Sequence, residues 1–181
     1  PLRGHLLQYE NTPAYKSWTQ QDPRNIITDP TAIAKIPIDY AGPFIKTLEK
    51  YAKQCTHCII GTDADVEGCN IGLLDAFPFV QKKNPTIQLS QLWLSDLQPK
   101  SVQKAFQNLI PPKWQLAYAG EARAKIDAII GFAATREISL TLKPILRQIQ
   151  KSVASIGRVQ SSLLYLLYLR EHLIRTFIPS P

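Results

Sequence analysis

The stretch Cys58-Ile59-Ile60-Gly61-Thr62-Asp63-Ala64-Asp65-Val66-Glu67-Gly68 decides how this chain is read. Its first four residues form an apolar run of strand length, which empties into a turn with acids at alternate positions. A short apolar run bounded by turn residues fits a buried strand. On the amino side, Phe44, Leu48 and Tyr51 recur at helical spacing, and Pro43 suits a first turn, so a helix is expected over about 43–54. On the carboxyl side a second helix is expected from about Glu67 to Val80, followed by an alternating strand over 86–94. Helix, strand, helix and strand in this order predict a parallel α/β layer.

Further out the pattern changes. Residues 1–40 are rich in turn formers (Asn11-Thr12-Pro13, Asp22-Pro23, Asp29-Pro30, Ile36-Pro37) and read as short strands and loops over a core. From Pro99 onward only helices are expected: Ser101–Leu109, Gln115–Gly131 with Ala122, Ile126, Ile129 and Ile130 on one face, and Gln160–Arg175 with Leu163, Leu164, Leu167 and Leu173. The expected fold is α/β, a parallel sheet with flanking helices, followed by an all-helical region, with the division near residue 97.

The composition narrows the function. The chain has 181 residues, 45% apolar and 19% charged, which excludes a disordered chain or a fibre. No apolar run approaches the roughly 20 residues that span a bilayer, so no membrane partner is expected. Three cysteines do not make a disulfide framework. There is no methionine, not even at position 1, which suggests a segment of a longer protein. The net charge of +7 is unevenly placed. Residues 1–90 hold 9 Lys/Arg and 9 Asp/Glu, whereas residues 91–181 hold 12 and 5. Lys143, Arg147, Lys151, Arg158 and Arg170 fall in a stretch without an acid. Bases gathered on one half suit a polyanionic partner better than a merely solvated face.

Candidate chemistry sits at Asp63, Asp65 and Glu67. Residues two apart at a strand end project to the same side, and ligands of open α/β sheets bind at the carboxyl ends of strands. Two carboxylates about 4 Å apart repel by roughly 4 kcal/mol at an effective dielectric near 20. A hard divalent cation relieves that repulsion, and oxygen-only ligands favour magnesium. The competing reading is structural: Asp65 caps the next helix and Glu67 complements its dipole. Cys55-Thr56-His57-Cys58 is a CxxC, but Cys69 and His172 are not spaced as a second pair, so Cys58 is read as core. His5 taken alone reads as a surface turn histidine.

Several segments together resemble type IA DNA topoisomerases, nearest the topoisomerase III-like branch. They are Arg3-Gly4-His5-Leu6-Leu7 with Tyr15-Lys16-Ser17-Trp18, and Thr62 to Gly68 with Asn70-Ile71-Gly72. Leu92-Trp93-Leu94-Ser95-Asp96-Leu97 follows, then Ala119-Gly120-Glu121-Ala122-Arg123, Thr135-Arg136 and Ser155-Ile156-Gly157-Arg158-Val159-Gln160-Ser161. The resemblance implies a Toprim domain over 1–97, its first strand missing, and the start of a helical DNA-binding region over 98–181. It implies single-strand cleavage by a tyrosine, strand passage and resealing. Asp63, Asp65 and Glu67 would take the acidic-triad role with Mg²⁺, and His5 falls close to the active site. Arg158, Gln160 and Ser161, with Arg123 and Arg136, would line a groove for single-stranded DNA, with RNA also possible.

The remaining domains of a parent chain are expected as partners, and the location implied is intracellular, with DNA in a nucleoid or nucleus. None of the seven tyrosines has the Tyr-x-Arg-Thr setting of the family's nucleophile, so the segment alone is expected to be inactive. Val66 stands where an arginine is common, Cys69 where a glutamate is common, and Gln91 where an arginine is frequent. Lost bases near the cleavage site would mean weaker phosphate clamping, or a degenerate homologue acting as a nucleic-acid-binding scaffold in a larger assembly.

Overall fold

The computed structural model describes residues 4–178. Strand β1 (Leu7–Asn11) pairs with β2 (Ile33–Pro37), and a single-turn helix, α1 (Asn25–Thr28), lies between them in sequence. This is the arrangement of short strands and turns that the first forty residues predict. Helix α2 (Gly42–Ala52) follows, with Pro43 in its first turn and Lys50 in its last, each at the end that suits it.

The apolar run becomes strand β3 (His57–Ile60), continued by α3 (Val66–Asn70), a wide π-turn (Ile71–Ala76) and α4 (Phe77–Lys83). These three segments form one helical run four residues longer than expected. The wide turn precedes Pro78, whose ring has no N–H to continue the regular ladder. Strand β4 (Gln88–Gln91) pairs with β3 in parallel, His57 opposite Gln88 and Ile60 opposite Gln91. Asp63 bridges Leu94 in the same parallel sense and the same register, so the sheet holds the backbone at the start of the acidic turn.

Helices α5 (Pro99–Gln107), α6 (Trp114–Thr141), α7 (Lys143–Gln148) and α8 (Arg158–Arg175) complete the chain. The fold is therefore mixed α/β, a small parallel sheet flanked by helices and followed by a long helical region. Helix α6 runs ten residues beyond the expected end at Gly131. A lone glycine costs a helix about 1 kcal/mol, and Ala133, Arg136 and Ser139 beyond it are buried at helical spacing.

By contacts the described residues form two compact units, 4–9 with 35–125 and 10–34 with 126–178. In the first unit, Ile60 of β3 packs with Ala52, Cys69, Leu73, Phe77, Val80, Ile87 and Ala117. Cys58 is partly buried against that cluster, as expected for a core cysteine. In the second unit, Arg136 lies with its guanidinium 5.7 Å from the Trp18 ring, and Ser139 and Thr135 of α6 accept the N–H groups of Ala154 and Ile156. Helix α8 has no buried residue, and Leu163, Leu164 and Leu167 are each more than half exposed. Among the described residues, no helix is long and apolar enough to cross a membrane.

Candidate functional site

The acidic turn is closed by its own residues. Asp65 has extended backbone and accepts the Gly68 N–H at 2.6 Å, so it is the N-cap of α3. The Thr62 hydroxyl donates to the Gly68 carbonyl, also at 2.6 Å. Gly68 has to be a glycine here, because a Cβ would stand 2.2 Å from the Asp63 carbonyl oxygen. Asp63, Asp65 and Glu67 are all exposed. Among the described residues, nothing ties down the Asp63 carboxylate, and no group of three or more His, Cys, Asp and Glu is placed to hold a metal ion.

Glu67 is engaged elsewhere. His5 donates from Nε2 to Glu67 Oε1 at 2.6 Å and from Nδ1 to Asp75 Oδ2 at 2.7 Å. His5 is therefore no surface turn residue but an imidazole between two carboxylates. The bond to Asp75 outweighs the effect of burial, and together with Glu67 it raises the His5 pKa to about 9. Both ring nitrogens thus carry protons at neutral pH. Arg3, the first residue of the same motif, lies outside the described residues.

Asp75 is wholly buried in the π-turn. Its Oδ2 also accepts the backbone N–H groups of Leu6 at 3.1 Å and Leu7 at 3.3 Å, while Lys35 Nζ lies 2.7 Å from Oδ1. Burial alone would raise this carboxyl, but the bonds from His5 and Lys35 outweigh it and hold its pKa below the ordinary value. Lys35 also pairs with Glu121 of α6, which accepts from the Tyr9 hydroxyl and, at 3.3 Å, from Asn70 Nδ2. Burial would lower the Lys35 pKa, yet its two carboxylate partners bring it above the ordinary value. Asp75, Lys35 and Tyr9 were not candidates on sequence grounds. The available signal was Asp75 itself, a single acid in the otherwise apolar run Ile71-Gly72-Leu73-Leu74-Asp75-Ala76-Phe77.

Two residues that the resemblance singles out as departures meet each other. Gln91 and Cys69 are both fully buried, and Gln91 Nε2 donates to Cys69 Sγ at 3.3 Å. Gln91 Oε1 accepts the Lys113 N–H at 2.9 Å. Gln91 is therefore tied into the core of this chain. A neutral pair fills these two buried positions, which leaves no unpaired charge inside.

The expected groove residues are not alike in placement. Arg123 is exposed on α6. In the second unit, Gln160 is exposed and Ser161 half-buried, its hydroxyl oxygen accepting the Gly157 N–H at 3.2 Å. Arg158 donates to both Asp127 oxygens at 2.7 and 3.3 Å. Arg136 is 4% exposed and donates to the Ser17 carbonyl at 3.4 Å, so its guanidinium lies inside the unit rather than on its surface.

Comparison with known proteins extends these observations. A family model described as DNA topoisomerase matches residues 111–181. The chain is 30% identical over 178 residues, 98% of its length, to DNA topoisomerase 1 of Archaeoglobus fulgidus, and covers 26% of that protein. It is 31% identical over 179 residues to DNA topoisomerase 1 of Thermoplasma acidophilum, matching 99% of this chain and 22% of the relative. It is 29% identical over 179 residues to human DNA topoisomerase 3-alpha, matching 98% of this chain and 18% of the relative. The chain thus spans about a quarter or less of the length of these relatives.

Proposed function

The chain is a segment related to type IA DNA topoisomerases, and we propose that it supplies an acidic turn and part of a single-strand groove to an enzyme that cuts, passes and reseals single DNA strands. The observation that carries this reading is the arrival of His5 on Glu67, 62 residues away in sequence, at the carboxyl end of parallel strand β3. Two residues marked by separate motifs become direct partners at the end of the sheet where α/β proteins bind ligands.

Magnesium fits the turn in one form only. A cage of three carboxylates does not fit, because Glu67 is held by His5. Two exposed aspartates completed by waters and a DNA phosphate do fit the way Mg²⁺ is usually bound. Asp63 and Asp65 would hold the ion, which would neutralise charge at the phosphate. Asp65 can cap α3 with one oxygen and offer the other. His5 keeps the charge of Glu67 compensated, and in the second unit the exposed Gln160 and Arg158, the latter once released from Asp127, are the donors proposed for a phosphodiester backbone.

The alternative, a nucleic-acid-binding scaffold that does not cut, is favoured by one observation: Asp65 and Glu67 already have partners inside the protein. Thermal unfolding with and without MgCl₂ separates the two. The proposal expects a Mg²⁺-dependent rise in Tm that disappears when Asp63→Asn and Asp65→Asn are combined. A rise of the same size in the double variant would leave capping as the role of Asp65 and favour the scaffold.

A further inference from the structure

The buried carboxylate of Asp75 does more than balance charge in the core. It accepts from His5 Nδ1 and from two successive backbone N–H groups on one oxygen, and it faces Lys35 with the other. That set of bonds fixes the carboxylate in one orientation, and through it the plane and the flip state of the imidazole. The second ring nitrogen then has one direction left, toward Glu67.

We propose that Asp75 is a positioning residue, held by Lys35, which aims His5 Nε2 at Glu67 and so keeps Glu67 as the partner of a histidine rather than a third metal carboxylate. The chain Lys35–Asp75–His5–Glu67 alternates cation and anion, each link between 2.6 and 2.7 Å. Both ring nitrogens must donate for it to exist. With a neutral amide in place of Asp75, a ring keeping its proton on Nδ1 presents a bare lone pair to the Glu67 carboxylate, and the link is lost. Asp75, a residue in a π-turn, thus fixes which ring nitrogen of His5 carries a proton and where the ring points. The inference rests on the metal reading above only for its consequence at Mg²⁺.

The test is nuclear magnetic resonance of the 181-residue chain with ¹⁵N-labelled histidine, followed by titration with Mg²⁺ alone. In the unaltered chain, His5 should give two slowly exchanging ring N–H signals. Glu67→Gln should move the Nε2 signal and leave the Nδ1 signal in place, and this variant changes only an exposed side chain. Asp75→Asn should leave only the Nδ1 signal and tighten Mg²⁺ binding several-fold as Glu67 swings free, a gain that disappears in Asp75→Asn/Glu67→Gln. A ring with one exchanging proton in the unaltered chain, or an Nε2 signal indifferent to Glu67→Gln, would overturn the proposal. So would an Asp75→Asn variant that folds and keeps both signals. If no form of the chain binds Mg²⁺, the metal reading fails, and the ring signals still decide the relay.

Discussion

In the folded chain the His5 imidazole stays charged up to about pH 9, whereas in an unfolded chain it loses its proton near 6.5. A histidine whose pKa is raised by folding contributes stability that is complete below 6.5 and lost as pH climbs through 9. The expected loss over that window is on the order of 2–3 kcal/mol. Urea unfolding at pH 6, 7.5 and 9.5 measures it, and His5→Gln should flatten most of the slope; an equally steep slope in that variant would remove His5 as its origin. Asp65 makes a second prediction at this scale. Asp65→Ala should cost about 1 kcal/mol by removing the cap of α3, while Asp65→Asn should cost a few tenths because an amide oxygen still accepts the Gly68 N–H. Equal losses would mean the charge and not the cap matters to folding. The capping role was legible from the position of Asp65 before a helix. The role of Asp75 was not, because its partners His5 and Lys35 lie 70 and 40 residues away and no local pattern joins them.

At the scale of elements, the turn after β3 is the most tightly specified feature. Gly68→Ala would place a methyl 2.2 Å from a backbone oxygen, and backbone cannot step aside as a side chain can. The expected cost is about 3 kcal/mol, read as a lower midpoint in urea unfolding; a loss under about 1 kcal/mol would mean the turn is not packed as described. The DNA contact proposed for Arg158 of α8 has a competitor within the chain, since Arg158 is held by Asp127 of α6. Asp127→Asn should free the guanidinium and strengthen binding of a single-stranded oligonucleotide a few-fold, whereas weaker binding would show that the pair itself is the recognised unit. Strand β3, the parallel partner β4 and the helix after the acidic turn were readable from apolar spacing and turn residues. The length of α6 was not, because a lone glycine was given the weight of a helix end while the buried face beyond it depends on packing. The π-turn was also illegible, since it answers to Pro78 and to the burial of Asp75 together.

Over the whole molecule, the excess of 12 bases over 5 acids in residues 91–181 supplies the net +7, yet those bases are not equivalent. Arg136 is buried, and Arg158 and Arg175 face carboxylates, so the charge available to a polyanion is smaller than the sequence count implies. Charge asymmetry was legible in the sequence, and its neutralisation by Asp127 and its burial beside Trp18 were not, because both arise from pairings between distant residues. The chain is 30% identical over 98% of its length to a DNA topoisomerase, and single-stranded DNA is the ligand we propose for it. Fluorescence anisotropy of a labelled single-stranded oligonucleotide with the chain, from low to high KCl, tests this most directly. About four phosphate contacts should give a log–log slope near −3, with weaker binding for Arg158→Ala. A slope near zero, or an Arg158→Ala variant that binds as tightly as the unaltered chain, would contradict it.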